Sequence, residues 1–458
     1  MLRFRRTRRR SFFSVILPQI VIDLSGVYGL MDKPLPEMYW TIFVYGGWIP
    51  IAVIFWQGFS KMWLNSRQGK YASTIQYMLL SISIPRMNEQ SPKAVEHMFT
   101  HLAGTYSSPN FKEKWLQGKF TPSFSFEYAS IDGYTQFVVR TPVQYRDLVE
   151  AAIYSQYPEA EVVEISDYTK DVPHEHPNPE WDCWGTEFVL ARPSAYPIRV
   201  FSEFEHSLSQ ELKDPLSSLL ETLSRLKKGE QVWIQILVTP RDQDWRNESL
   251  TLTDKLKGRP PKKKPTPLWQ TTVESGFSIV TAGISQVVGV GAEEEKKPEK
   301  KEDNKVMNLS PGEKKMLEQI EIKASKMGFG AKIRFVYVGK RNAFRKGPMI
   351  SMVRGALGLF GSSDGNSLKN YGKAAPKTDY FWQRWSAEEK KTKIIKRFSS
   401  RSSDGASRFV MNAEELASLW HFPQILIKAP LLKKVESRKV EPPFTIPLAP
   451  DELPEPKE

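Results

Sequence analysis

The sequence is poor in the residues that covalent and metal chemistry require. It holds one cysteine, Cys183, in 458 residues, so no intramolecular disulfide and no multi-cysteine zinc site can form within one chain. No phosphate loop of the form GxxxxGK(S/T) occurs, and the two near misses, GKRNAFRKG and YGKAAPKT, fail its spacing; ATP hydrolysis by this chain is not expected. A GxSxG elbow, an HExxH pair and a CxxC pair are missing too. The one cluster with ligand chemistry is His174-Glu175-His176 near Asp182 and Cys183. Two histidines at i, i+2 can face one way on an extended chain, but a solvated connector is the plainer reading. Paired carboxylates such as Glu161/Glu164 and Glu203/Glu205 read as the solvent faces of strands. No catalytic residue, cofactor or metal is assigned, and the chain reads as a non-enzyme.

Long apolar runs are confined to the N-terminal region. Residues 1–10, MLRFRRTRRR, hold six arginines, without which the net charge drops from +13 to +7. The next run, 11–31, is apolar but broken by Pro18 and Asp23. Residues 39–58, YWTIFVYGGWIPIAVIFWQG, carry no charge over twenty positions, the length a helix needs to cross about 30 Å of hydrocarbon. Tyr39, Trp40, Phe55 and Trp56 suit the two water interfaces. Residues 1–70 are thus expected to form a membrane segment in which 39–58 spans and 11–31 either spans or lies along the interface. The arginine block before both runs, with Lys61, Arg67 and Lys70 after them, favours a hairpin with both ends in the cytoplasm of an inner-membrane protein. If 11–31 only lies on the surface, the rest of the chain falls outside. The whole chain is 40% hydrophobic and 26% charged, and outside this N-terminal region it reads as globular.

From 75 to 170 the pattern is a strand over 77–84, a helix over 91–106 with Ser91 and Pro92 at its start, and strands 123–131 and 134–140 across Asp132-Gly133. A helix opening at Thr141-Pro142 and a strand over 161–165 complete it. The order βαββαβ is the split βαβ, or ferredoxin-like, arrangement. A second such unit is expected over 184–360: strands 186–191 and 197–204, a helix over 214–226 and a strand over 231–240. A helix over 310–330, a strand over 331–339 and an apolar-basic helix within 342–360 follow. An insertion, 241–308, interrupts it; its GRPPKKKPTP and EEEKKPEKKEDNK runs have too few apolar residues to order themselves. The predicted class is α+β: two ferredoxin-like units in tandem behind an N-terminal transmembrane helical segment.

Residues 361–408 read as a polar basic region and 409–458 as a closing helix with a proline-rich tail. In FVMNAEELASLWHFP, Asn412 caps a helix that Pro423 limits, with Glu414 and Glu415 at the positive end of its dipole. Leu416, Leu419, Trp420 and Pro423 are candidate anchors for a partner; Leu416 and Trp420 could equally pack on the second unit. Two basic runs could neutralise phosphates or meet acidic lipid. One is Lys262, Lys263 and Lys264 with Lys255, Lys257 and Arg259. The other is Trp382, Arg384 and Trp385, after Phe381 and before Lys393, Lys396, Arg397 and Arg401.

Four strings carry a family likeness: ISIPRMNEQSPKAVEHMFTHLAG (82–104), RTPVQYRDLVEAAIYSQYPEAEVVEISDYT (140–169), EFEHSLSQELKDPLSSLLETLSRLKKGEQVWIQILVTP (203–240) and FVMNAEELASLWHFP (409–423). Over roughly 75–445 the chain resembles the non-ATPase N-terminal region of type IV secretion coupling and DNA-transfer ATPases, in the versions found in candidate-phyla bacteria. In those proteins a segment similar to MNAEELASLWHFP sits just before the hexameric P-loop motor, and this sequence stops there. The resemblance implies a membrane-anchored scaffold or adaptor whose motor ATPase is a separate polypeptide, with DNA and further copies of itself as other candidate partners. It carries over no catalytic residue. A membrane-associated nucleic-acid-binding protein is the alternative.

Overall fold

The computed structural model describes residues 34–44, 48–85, 88–204, 214–257, 310–378 and 380–424. The arginine block, the 11–31 run, Lys262, Lys263, Lys264 and the tail from 425 lie outside them. The chain divides into two units. The smaller takes residues up to Tyr71 together with Phe111–Lys119. It holds α1 (Leu35–Ile42), most of α2 (Trp48–Thr74) and a π-helical turn, Glu113–Gln117. The Trp63 indole N–H donates to the Trp115 carbonyl at 3.0 Å, and the Arg67 guanidinium lies 4.4 Å from the centre of the Trp63 ring. Gly118, at φ +73°, ends the π-helical turn so close to Arg67 that a Cβ would fall 2.3 Å from a backbone carbon; only glycine fits both constraints.

Among the described residues no helix is long and apolar enough to cross a membrane, so the span expected over 39–58 is not found there. α1 stops at Ile42, 45–47 lie outside the described residues, and α2 turns polar from Gln57 through Ser60, Lys61, Asn65 and Arg67.

The larger unit, residues 72–110 and everything from Phe120, is a mixed α/β body built on one antiparallel sheet. Its first half runs β1 (Tyr77–Ser83), α3 (Pro92–Ala103), β2 (Phe124–Ile131), β3 (Tyr134–Pro142), α4 (Arg146–Tyr154) and β4 (Glu161–Ile165). The second half runs β5 (Trp181–Leu190), α5 (Leu216–Ser224), β6 (Glu230–Pro240), α6 (Asp244–Leu256), α7 (Pro311–Ser325), β7 (Gly328–Lys340), α8 (Lys346–Gly358) and β8 (Leu368–Asn370). α9 (Phe381–Ser399), β9 (Phe409–Asn412) and α10 (Ala413–Leu419) close it. The sheet order is β4-β1-β3-β2-β6-β7-β5-β8, with β9 on the edge of β7 beyond the end of β5. The order of the first four strands is repeated in mirror image by the second four, and β2 paired with β6 joins the halves.

The β2–β3 turn has Asp132 at φ 54° and Gly133 at φ 88°, the two positive angles a tight hairpin takes at its centre. Two expectations are corrected. Residues 197–204 form no strand: Phe201–Phe204 is a 3-10 turn, and the Ile198 and Phe201 amides donate to the side chains of Glu415 and Ser418 instead of to a neighbouring strand. The polar region 361–408 contains a 19-residue helix, α9.

Strand alternation divides the core between the two faces of the sheet. Phe124, Phe126 and Tyr128 of β2 join side chains of α3, α4, α5, α8 and α10 on one face. On the other, Ala129, Val138, Cys183, Trp233, Val336 and Val338 lie beneath Ile394, Ile395 and Phe398 of α9. Burial under α9 pushes the Cys183 thiol far above its ordinary pKa, so the reactive thiolate is suppressed. The lone cysteine therefore reports on that helix. Maleimide labelling of native protein is expected to be negligible and to rise only as denaturant frees α9; fast native labelling would show that α9 does not stay seated.

Candidate interaction surfaces

The α9 face of the sheet carries polar groups at its centre. Register aligns Glu127 of β2, Gln235 of β6, Arg334 of β7 and Glu187 of β5 across four neighbouring strands, all fully buried. Gln235 donates to Glu127 at 2.9 Å; Arg334 donates to Gln235 at 3.1 Å and to Glu187 at 3.0 Å. The loop after α9 closes the row. Arg401, at φ 51°, places its guanidinium on Glu127 at 3.1 Å and on Asp167 at 3.2 Å. The Ala406 amide caps Glu187, and Lys332 donates to the Ser403 and Asp404 carbonyls at 2.7 and 2.8 Å. Gly405, at φ +107°, is required because a Cβ there would fall 2.3 Å from the Glu187 carboxylate.

Burial alone would raise the Glu127 carboxyl, but the charge and hydrogen bonds of Arg401, with Ser125 and Tyr168 donating, hold it below its ordinary value. Burial pushes Lys332 down to about 8 against the pull of Glu187. Arg401 is thus corrected as a phosphate contact: its side chain is 1% exposed and committed to carboxylates.

The proposed docking helix is likewise occupied within its own chain. Leu416 and Trp420 are fully buried and Leu419 is nearly so. The Trp420 ring meets Phe126 and Phe422 at 5.0 Å and Phe137 at 5.9 Å between centres. Pro423 is half-buried, its carbonyl accepting from Asn88 at 3.2 Å. The Asn412 cap forms as expected, with the Glu415 amide 2.8 Å from its side-chain oxygen, but Glu415 then pairs with the buried Lys323 at 2.9 Å. As folded, Leu416, Leu419 and Trp420 are core residues, and a partner could reach them only by displacing α10.

Of the second basic run, Trp382 lies on α9, while Arg384 and Trp385 project from it, Trp385 at 90% exposure. The opposite side of that helix buries Ala387, Ile394, Ile395 and Phe398. Lys393 and Lys396 are partly neutralised by Glu389 and Glu175, leaving the exposed aromatic as the distinctive feature of this surface.

His174 and His176 do not converge on a ligand site. The His174 Nε2 lies 2.8 Å from the Thr169 carbonyl, and among the described residues no group of three or more His, Cys, Asp or Glu could hold a metal. His176 is 9% exposed and neither of its ring nitrogens has a hydrogen-bond partner. Its amide donates to the Thr392 hydroxyl at 3.0 Å, fastening this segment to α9. Burial, then the nearby Lys391 charge, lowers its pKa, with Asp182 and Glu388 opposing. The unfolded chain therefore takes up a proton before the folded one does, so stability falls as the pH drops below about 6.5. Denaturant melts at about pH 7.5 and about pH 5.5 should show that loss in the native protein and a smaller one in His176→Asn; equal losses would remove His176 as the cause.

Sequence patterns gave no hint of a further basic cluster at one end of the sheet, where Lys227, Lys228, Lys340 and Arg345 gather. Register, not local sequence, brings them together. A family model described as a domain of unknown function (DUF8128) matches residues 79–434. No curated protein matches the chain.

Proposed function

The chain belongs to this family of unknown function, and from there we propose that it is a membrane-associated, non-catalytic scaffold or adaptor for a hexameric P-loop ATPase of a type IV secretion or DNA-translocation system. The observation that carries the membrane part is the start of α2. Val53, Ile54, Phe55 and Trp56 are 47%, 69%, 74% and 70% exposed. Four consecutive helical residues sweep almost the full circumference, so the start of α2 is apolar all round where a soluble helix would keep a polar face. Lipid is the cover that best fits, with Lys61 and Arg67 further along the helix to meet acidic headgroups. Vesicle flotation tests it: the full chain should float with anionic vesicles, and a Val53→Asp/Phe55→Asp variant should stay in the dense fraction. A wild-type chain that sediments alone would remove the membrane reading.

The body is read as two ferredoxin-like units in tandem. The order β4-β1-β3-β2 and its mirror image in β8-β5-β7-β6 support this reading, with the long β6–β7 connection as the departure from the pattern. The ATPase partner rests on the family likeness of the strings around α3, α4, α5 and α10. Because α10 is core, the tail is the place to test docking: deletion of 425–458 should leave the larger unit folded and abolish co-purification of a P-loop ATPase. Unchanged recovery would dismiss the tail as the contact. Exposed Trp385 beside Arg384 favours the second reading, a membrane-associated nucleic-acid-binding protein. That reading expects salt-sensitive binding of single-stranded DNA that Trp385→Ala weakens.

A further inference from the structure

Where β6 begins and β7 ends, a surface cleft of about 530 Å³ is lined by Lys227, Lys228, Gly229, Lys340, Asn342 and Arg345. The β6–β7 register sets Glu230 opposite Gly339, and the Lys340 amide donates to the Gly229 carbonyl at 2.9 Å. Gly229, at φ +87°, turns the chain so that the Lys340 side chain lies 3.4 Å from where a Cβ would stand. Three exposed lysines, Lys227, Lys228 and Lys340, thereby line one rim, the Lys340 ammonium lying 6.0 Å from the centre of the Trp181 ring.

The carboxylate beside them is fully engaged. Glu230 Oε1 accepts from the Tyr337 hydroxyl at 2.6 Å and from Arg345 Nε at 2.9 Å, while Oε2 accepts from the Lys227 amide at 2.7 Å and from Arg345 Nη2. Those bonds hold Glu230 ionised below its ordinary value against burial, so its charge is balanced by Arg345 and not by a lysine. Asp132, across the turn, is bonded to the Gly229 amide at 2.6 Å. Among the described residues Lys227, Lys228 and Lys340 have no ion-pair partner. α8 starts at Lys346, next to the lining residue Arg345.

We propose that this cleft is a binding site for a compact multivalent anion, the linked phosphates of a soluble di- or polyphosphate. Ammonium groups are compact point charges that suit such an anion. The cleft opens to solvent, and the inward groups that could have neutralised its rim are committed elsewhere. The site stands on the geometry of the cleft and not on the membrane or ATPase readings, although Lys227, Lys228 and Gly229 fall within the 203–240 string that carries the family likeness.

The test uses the full chain in a nonionic detergent, with inorganic pyrophosphate as the probe and calorimetry as the readout. Lys227→Ala/Lys228→Ala/Lys340→Ala is expected to weaken binding about tenfold or more, each lost ammonium contact being worth a few-fold. The melting temperature should stay unchanged because all three side chains are exposed. Lys93→Ala/Lys170→Ala/Lys314→Ala removes the same charge at exposed sites elsewhere and should bind as the native chain does. Absence of pyrophosphate binding, or an equal loss in both triple variants, would overturn the site. A second arm uses phosphatidylglycerol vesicles: if the cleft variant loses vesicle binding while pyrophosphate binding is unchanged or undetectable, the cleft reads lipid headgroups and the soluble-phosphate assignment fails.

Discussion

Trp420→Ala is expected to lower the stability of the larger unit by about 3–5 kcal/mol, a large fraction of the roughly 5–15 kcal/mol that holds an ordinary domain folded. The indole is fully buried and contacts Phe126 of β2, Phe137 of β3 and Phe422, so it ties the chain's closing segment to the first half of the sheet. Its truncation leaves a cavity that these rings cannot fill, because Phe126 and Phe137 are fixed on strands and Phe422 packs against Tyr157 at 5.1 Å. Denaturant titration followed by far-ultraviolet dichroism measures the cost. A loss below about 1 kcal/mol would mean that α10 is only loosely seated, and would restore Leu416, Leu419 and Trp420 as groups that a partner could lift out.

Arg401→Met should cost a similar amount, about 3–5 kcal/mol, through charge and not volume. It leaves Glu127 in the centre of the sheet without its cation and frees the loop that seats Gly405 and Ala406 on Glu187. The pH dependence identifies the cause. In the native protein the Glu127 carboxyl is held low, so its stabilisation is present above the unfolded carboxylate pKa of about 4.3 and is lost as the pH falls further. In the variant, burial drives the same carboxyl up, so the deficit should grow from acid to neutral pH. Glu127→Gln/Arg401→Met should recover a large part of it. A pH-independent deficit, or no recovery in the double variant, would assign the effect to lost packing.

The first half of the sheet was legible because each element carries a local signal: the Asp132-Gly133 turn, the Ser91-Pro92 start of α3, and strands that alternate or run β-branched and aromatic. The Asn412 cap was legible for the same reason. α9 was not, because among its described side chains only Ala387, Ile394, Ile395 and Phe398 are buried, with charged neighbours between them, too sparse a stripe to separate from a solvated loop. Missing α9 hid the polar row as well. Glu127, Gln235, Arg334 and Glu187 occupy the alternate positions that an uncovered sheet would give to water, and only the helix and the Arg401 loop above them turn that face into core. Docking anchors and core anchors look alike in sequence, since both are large apolar side chains on a capped helix. Leu416, Leu419 and Trp420 could be sorted only by finding the aromatic cluster that receives them. The basic cleft depends on the β6–β7 register across a long connection, which no local pattern encodes.

Isolation of the full chain from its own membranes in nonionic detergent, with identification of what accompanies it, tests the scaffold reading most directly. The chain is expected to stay with the membrane through a high-salt wash and then to bring down a P-loop ATPase in comparable amount. A chain that washes off in salt and comes away with no ATPase would contradict it.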